Sequence, residues 1–132
     1  MKLSNIPLRA IPGAFIVNSG LGKLGMDAES SKGLQDFAAT GIKELKQLPS
    51  DKFGQIIGAS EIAVGGALLA PFVSNRIAGA GLTAFGAGLL TLYFGDDDNT
   101  LDDGIRPSEQ GLPLAKDSWL LAAGLTLLLQ KK

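Results

Sequence analysis

Three polar side chains that could do chemistry together interrupt the apolar stretches of this sequence. Glu61 lies in a run that carries no other charge from residue 55 to residue 75, and Asn18 and Lys23 lie in an apolar segment near the N-terminus. A carboxylate, an ammonium and an amide can bind one another, or together bind a proton, a quinone head group or a small polar solute. Which of these applies depends on the solvent around the apolar runs.

Composition narrows the range of possible chemistry. The 132 residues include no cysteine and no histidine, and the formal net charge is −1. The lack of cysteine excludes disulfides, a thiolate nucleophile and Cys-ligated metal clusters, and the lack of histidine removes the commonest general base and haem ligand. No basic stripe is present to neutralise phosphates, so nucleic acid is not an expected partner. The sequence favours a non-catalytic protein without metal, haem or flavin, and quinone is the one cofactor that it leaves open.

Charged residues are only 19% of the chain and cluster in blocks, leaving four apolar segments. About twenty apolar residues in a helix cross roughly 30 Å of hydrocarbon. We therefore predict membrane spans at about 6–25, 55–73, 77–95 and 113–130. A secretory signal peptide would need a small-x-small cleavage site after the first apolar segment, and none is convincing there, so we expect that segment to be retained.

The first and last predicted spans carry charges close to their ends. Arg9 and Lys23 flank the centre of the first span, where long side chains can reach the head groups. Lys116 and Asp117 stand near the start of the last span, beside Trp119, a residue typical of the membrane interface. We expect all four charged groups at or near the interfaces.

The segments between the spans sort by charge. One side would carry basic residues and no acidic ones, and the other side would carry the segment 26–53 and the acidic loop 96–110. The positive-inside rule then places both termini in the cytoplasm. The basic residues of the cytoplasmic side are Lys2, Arg9, Arg76, Lys131 and Lys132.

The two outer segments have different characters. Apolar residues at helical spacing within 30–48 predict an amphipathic helix that rests on lipid, on the bundle or on a partner. The loop "DDDNTLDDGIRPSE" invites comparison with an EF-hand, but Asp103 stands where that motif needs glycine. The match to a calcium site is weak, and a solvated loop that enforces topology or meets a basic partner is the favoured interpretation.

Small residues recur at close spacing in the two central spans. In lipid, helices associate through close backbone contact, so we expect the second and third spans to pack as a tight antiparallel hairpin around the turn "SNR". Pro12 and Pro71 are expected to kink the first and second spans.

The polar side chains of the first two predicted spans are expected at similar depths in the membrane. At about 1.5 Å per residue, Glu61 would lie about 10 Å below the outer boundary, with Asn18 at a similar depth and Lys23 within side-chain reach. We predict an outer-leaflet cluster of Asn18, Lys23 and Glu61, which Lys116 and Asp117 could join. The cluster either fixes the register of the first two spans or forms a binding site.

Together these patterns predict an all-α fold, an integral membrane four-helix bundle formed by one domain, 1–132, with an outer amphipathic helix between spans one and two. The alternative is a soluble helical bundle with a buried Gly-rich hairpin. Such helices would need polar stripes, and 77–95 has none.

Three stretches resemble the DoxX family of small bacterial membrane proteins. They are "LRAIPGAFIVNSGLGKLG" (8–25), "EIAVGGALLAPF" (61–72) and "KDSWLLAAGLTLLL" (116–129), which cover most of the predicted spans but neither outer segment. The resemblance implies a four-helix bundle in the bacterial plasma membrane and draws attention to Arg9, Lys23 and Glu61. The long outer segment and the acidic loop depart from the family pattern.

Three functions are compatible with this resemblance. It implies first an accessory or scaffold subunit of a larger redox or respiratory membrane assembly, non-catalytic by itself, with the lipid bilayer and other membrane subunits as partners. The alternative is a quinone- or proton-binding component of a membrane oxidoreductase. A small-solute transporter is the third.

Overall fold

The computed structural model describes residues 3–130, which form helices joined by short connections. The helices are α1 (Asn5–Leu24), α2 (Ala28–Ala38), α3 (Phe53–Leu69), α4 (Asn75–Phe94), α5 (Leu112–Ala115) and α6 (Ser118–Leu128), with 3₁₀ turns at Lys43–Gln47 and Asp97–Asn99. One isolated β-bridge joins Thr100 and Pro107. The all-α fold class is confirmed for these residues. Lys2, Lys131 and Lys132, which the predicted topology uses, lie outside them.

The long helices pack as two close antiparallel pairs, α1 with α3 and α4 with α6. In the first pair, a Cβ added to Gly20 would lie 2.6 Å from the Gly58 carbonyl oxygen, and one added to Gly65 would lie 2.8 Å from the Gly13 carbonyl oxygen. Backbones this close leave no space for side chains, so glycine is needed at each crossing. Gly13 and Gly20, like Gly58 and Gly65, are seven residues apart and therefore share a helix face.

Glycines also allow the backbones of the second pair, α4 and α6, to approach closely. A Cβ added to Gly79 would lie 2.5 Å from the Leu128 nitrogen, and one added to Gly124 would lie 2.5 Å from the Thr83 nitrogen. The closest backbone contacts are therefore between α1 and α3 and between α4 and α6, and not between α3 and α4, where the sequence predicted a tight hairpin. Where α3 faces α4, a Cβ on Gly81 would be 3.6 Å from Val64, an ordinary van der Waals distance. Small-residue spacing identifies a helix face that packs closely, but it does not identify the neighbour.

The apolar core lies where the two pairs meet. Leu82 and Leu127 are fully inaccessible to solvent, and Leu68 and Ala78 nearly so. With Ile16 they form one cluster that joins α1, α3, α4 and α6. The bundle is therefore held together by side-chain packing between the pairs and by backbone contact within them.

The predicted fourth span is not one continuous helix. It divides into α5 and α6 at Lys116 and Asp117. There the Asp117 N–H donates to the Leu114 carbonyl and the Trp119 N–H donates to the Lys116 carbonyl, bonds across three residues instead of four. The chain keeps a helical direction but tightens locally, as 3₁₀ turns do.

The predicted outer helix, 30–48, is also divided. α2 ends at Ala38, and the 3₁₀ turn Lys43–Gln47 follows after a loop that contains Gly41, a residue that disfavours helix. The buried face of α2 is polar instead of apolar. The Ser31 hydroxyl accepts from the Gly54 N–H at 2.7 Å, and the Gln35 amide donates to the carbonyls of Leu45 and Leu48 at 2.8 Å each.

The prolines act differently from one another. Pro12 lies inside α1, which continues on both sides of it. α3 ends at Leu69, so Pro71 follows the helix and does not kink it. This is the position in which proline commonly ends a helix, because it restricts the residue before it.

Length and composition single out one described helix as a candidate membrane crossing. That helix is α4, with 20 residues; α3 is apolar too but has 17. The four spans predicted from the sequence therefore depend on arguments beyond helix length.

Candidate functional site

Glu61 is the buried carboxylate of the α1/α3 pair, with 4% of its surface exposed. Its Oε1 lies 2.8 Å from the Lys23 ammonium, and its Oε2 accepts from the Ser19 hydroxyl at 3.1 Å. The Lys23 ammonium also donates to the Ser19 hydroxyl at 2.6 Å. Ser19, Lys23 and Glu61 form a closed triangle, which we call the Glu61 cluster.

The glycine crossing at Gly20 and Gly58 positions this cluster. Glu61 follows Gly58 by three residues and Lys23 follows Gly20 by three, so both side chains lie one turn from the crossing on the facing surfaces. The close backbones let the short Ser19 side chain reach a carboxylate on the neighbouring helix. A Cβ on Gly20 would lie 3.1 Å from the Glu61 Cβ, so a larger residue there would push the cluster apart.

Asn18 is not part of the Glu61 cluster, contrary to the sequence prediction. It is exposed on the outer face of α1. Successive residues on an α-helix are about 100° apart, so Asn18 points about 200° away from Gly20, which faces α3. Ser19 takes the place predicted for Asn18. Its spacing of four residues from Lys23 was the signal in the sequence that could have identified it.

Lys116 and Asp117 lie at the junction of α5 and α6, and α6 packs on α4 instead of α3. Lys116 is exposed and Asp117 is partly buried. Within residues 3–130, the hydrogen bonds and ion pairs of Glu61 involve only Ser19 and Lys23. The Glu61 cluster is therefore formed by two helices, and the fourth predicted span does not complete it.

A second buried charge lies at the other end of α1. Arg9 is 2% exposed and donates from Nε to the Leu68 carbonyl at 2.9 Å and from Nη2 to the carbonyls of Ala67 and Ala70 at 2.8 and 2.9 Å. Its Nη1 donates to the Asn75 side chain at 2.9 Å. Arg9 thus caps the carbonyl end of α3. Its side chain turns into the bundle and does not extend outward, as the sequence suggested, because α3 ends before Pro71 and leaves its last carbonyls without helical partners.

Two amides extend this Arg9 network to the remaining helix ends. Asn5 and Gln130 exchange two hydrogen bonds, at 2.8 and 2.7 Å, and the Asn75 amide donates to the Gln130 side chain at 3.2 Å. The network therefore ties the start of α1 and α4 to the end of α3 and to the residues after α6. Arg76, the other basic residue predicted at this end, is exposed.

The opposite end of the bundle carries the acidic loop and a pocket of about 340 Å³. The Asn99 amide donates to the carbonyls of Leu92 and Tyr93, and its oxygen accepts from Gln110 at 3.0 Å. The polar groups at this pocket thus largely bind one another. The lining residues are Phe37, Thr40, Leu92, Asp96, Asn99, Gln110, Pro113 and Leu114.

Asp103 organises the tip of the acidic loop. Its carboxylate accepts from the backbone N–H groups of Ile105 and Arg106 at 2.9 Å each and from the Arg106 Nε at 2.6 Å. The Ile105 N–H first, then the Arg106 side chain, hold the pKa of Asp103 below its usual value. Within the described part of the chain, no group of three or more acidic side chains is placed to hold a metal ion.

Known proteins give no further guide to these clusters. Comparison of the chain with protein-family models, with curated proteins and with solved structures finds no match.

Proposed function

We propose that this chain is an integral membrane protein whose four helical segments cross the bilayer, and that it is a DoxX-like accessory or scaffold subunit of a larger membrane assembly. The observation that carries the membrane part is the distribution of side chains between interior and exterior. Arg9 and Glu61 are buried inside the bundle, and many large apolar side chains are exposed.

Exposed apolar side chains lie on each of the long helices α1, α3, α4 and α6. Phe15 on α1 is 73% exposed, Ile77 on α4 is 66% exposed, and Trp119 and Leu129 at the two ends of α6 are 71% and 77% exposed. The interior meanwhile contains the Arg9 network and the Glu61 cluster. Soluble monomers rarely expose so many large apolar side chains, and almost never bury arginine or glutamate without need. Hydrocarbon outside the bundle accounts for both features.

The charges in the predicted spans are compatible with this setting. A hydropathy average treats Arg9, Lys23 and Glu61 as if each were exposed to lipid, yet each has a hydrogen-bond partner inside the bundle. Intramembrane charges that face the bundle interior are the kind that membrane helices retain. α3 contains 17 residues, or about 25 Å of helix, which is close to the hydrocarbon thickness when flanking residues reach the interface. The stretch 112–128 has the same number of residues, divided between α5 and α6.

The orientation in this proposal has both termini in the cytoplasm of a bacterial cell and the segments 26–53 and 96–110 outside. Most charged side chains of residues 3–130 lie in these two segments, at the end of the bundle away from the Arg9 network. A polar end of this size is suited to contact another subunit, which supports an accessory role.

Copurification tests the accessory role. The tagged chain is extracted in mild detergent, and bound proteins are identified by mass spectrometry and their stoichiometry measured. We expect redox or respiratory membrane subunits at fixed stoichiometry, lost when Asp97 and Asp98 are both changed to lysine and retained when exposed Arg76 is changed to glutamine. A chain that purifies alone from its native membrane would contradict the accessory role.

A second candidate function is a quinone- or proton-binding component of a membrane oxidoreductase. It is favoured by the Lys23 side chain, which is 21% exposed while it binds a carboxylate that is 5% exposed. A ligand could therefore reach one member of the Glu61 cluster. Quinone in the lipid extract of the purified protein, reduced in Glu61→Gln, would support this function, whereas equal amounts in both would contradict it. Solute flux through the chain alone in vesicles would instead indicate a transporter.

A further inference from the structure

Asn18 occupies an unusual position for a polar residue in this bundle. It is exposed and lies opposite the face of α1 that packs on α3, with the exposed residues Ala14 and Gly22 one turn away on either side. Leu24, the last residue of α1, is six positions further along the chain, which places Asn18 about 9 Å along the helix from that end. In the membrane setting proposed above, on which this inference rests, Asn18 faces hydrocarbon.

An amide in hydrocarbon without a partner is costly, because no water is present to bond its two donors and its acceptor. Within residues 3–130, the side-chain hydrogen bonds of α1 involve Asn5, Arg9, Ser19 and Lys23, and none involves Asn18. Lysine and arginine can extend to the interface from such a depth, but the short asparagine side chain cannot. A partner for the amide must come to this face of α1.

We propose that the partner is a second copy of the same chain, which packs against α1 through Ala14, Asn18 and Gly22. In a two-fold symmetric dimer whose axis runs along the membrane normal, the two α1 helices lie parallel, and the residues of this face lie next to their own copies along the axis. The Asn18 amide is suited to that arrangement because it carries both donor and acceptor, so two copies satisfy one another. Ala14 and Gly22 permit the close helix approach that such a bond requires.

The surroundings of Asn18 favour this occupant over a lipid head group. The exposed face near Asn18 carries the apolar residues Phe15 and Leu21 and no charge, so an anionic head group would find no cation there. The monomer leaves space for an approaching helix, since a Cβ added to Gly22 would have no neighbour within 4 Å. By contrast, one added to Gly20 would lie 2.6 Å from the α3 backbone.

The absence of cysteine permits a direct test by disulfide crosslinking in native membranes. Ala14→Cys and Gly22→Cys each place one thiol on the proposed interface and keep Asn18; Ala84→Cys, on an exposed position of α4, is the matched control. A disulfide needs Cα atoms within about 7 Å. On oxidation we expect covalent homodimers from Ala14→Cys and Gly22→Cys and few from Ala84→Cys.

Adding Asn18→Leu to Gly22→Cys should reduce the dimer yield about three- to tenfold, and adding Asn18→Gln should preserve most of it. Equal crosslinking from all three thiol positions, an unchanged yield with Asn18→Leu, or a covalent bond to a different protein would each overturn the proposal. Extraction of every variant at alkaline pH is the second measurement. A chain that remains in the membrane but does not crosslink contradicts the dimer alone, whereas a chain that is released contradicts the membrane proposal as well.

Discussion

The two buried charge clusters of the α1/α3 pair differ in how completely their charges are bound. Arg9 donates four hydrogen bonds to neutral oxygens and is 2% exposed. Glu61 has Ser19 and Lys23 as its partners, and Lys23 remains 21% exposed. The clusters lie 14 residues apart on α1, about 21 Å, and face the same neighbouring helix. The same helix pair thus holds a guanidinium that uses nearly all its donors and an ion pair of which one member, Lys23, stays partly accessible.

This difference separates two uses of a buried charge. A guanidinium that binds the last carbonyls of α3 and the Asn75 side chain connects three helices and has little capacity left for a ligand. An ion pair with one accessible member can open, exchange a proton or accept a further group. We therefore interpret the Arg9 network as structural and the Glu61 cluster as the site where function would be found.

Replacing Arg9 should have the largest effect on stability. Arg9→Leu leaves the carbonyls of Ala67, Leu68 and Ala70 and the Asn75 side chain without their donor, and unsatisfied buried groups cost about 1–3 kcal/mol each. We expect a loss of about 3–5 kcal/mol in the free energy of unfolding in detergent, measured by chemical denaturation. Arg76→Leu, on exposed Arg76 nearby, is the control and should change stability by less than about 0.5 kcal/mol. Similar losses of stability from Arg9→Leu and Arg76→Leu would show that Arg9 contributes no more to stability than an exposed arginine.

Replacing Glu61 should have a smaller effect. Glu61→Leu leaves the Lys23 ammonium without its carboxylate, and we expect a loss of about 2–3 kcal/mol, below the value for a fully buried pair because Lys23 can turn toward solvent. In a double-mutant cycle, Lys23→Met should recover at least about 1 kcal/mol of that loss. Strict additivity of the two changes would contradict the ion pair as a unit. Glu61→Gln, which keeps a hydrogen-bonding side chain, should lose less than Glu61→Leu.

Two glycines of α1 allow a matched test of the crossing that positions the Glu61 cluster. Gly20→Ala introduces a Cβ 2.6 Å from the Gly58 carbonyl oxygen, whereas Gly22→Ala introduces one with no neighbour within 4 Å. We expect Gly20→Ala to lower the free energy of unfolding by about 1–3 kcal/mol, measured as a lower thermal midpoint. Gly22→Ala should leave the monomer unchanged or raise its stability by up to about 1 kcal/mol. The opposite order would show that α1 and α3 do not approach as described.

The acidic loop should give the smallest effect. The folded state lowers the pKa of Asp103, so its contribution to stability is fully present above the unfolded value near 3.8 and is lost as pH falls through the lower folded value. NMR amide shifts of Ile105 and Arg106 should therefore stay constant above about pH 5 and move together below about pH 4. Asp103→Asn should abolish this shared transition, and Asp102→Asn should preserve it. A transition that survives Asp103→Asn would contradict the assignment.

The sequence predicted the helices better than their neighbours. Hydrophobic runs located α1, α3 and α4 to within a few residues, because apolar length is a local property. The pairing of α1 with α3 and of α4 with α6 is not local, and glycine spacing alone could not choose between neighbours. The break at Lys116 and Asp117 follows from local hydrogen bonding that the hydropathy of the surrounding residues conceals.

The candidate site was predicted in part for the same reason. The structure brings Lys23 and Glu61 together, since depth along each helix follows from residue counting. Which side of the helix faces its neighbour does not follow from residue counting. A difference of one residue, about 100° around the helix axis, places Ser19 at the carboxylate and Asn18 on the outside. Arg9 was predicted at an interface because the end of α3 and its free carbonyls are visible only in the folded chain.

Accessibility of single cysteines in intact membranes tests most directly whether hydrocarbon surrounds the bundle. Phe15→Cys places a thiol at a position that is 73% exposed in the folded chain, and Asp98→Cys places one on the acidic loop. If lipid covers the helices, a membrane-impermeant maleimide labels Asp98→Cys from outside and reacts with Phe15→Cys only after unfolding in denaturing detergent. Equal labelling of both thiols before unfolding would contradict the account.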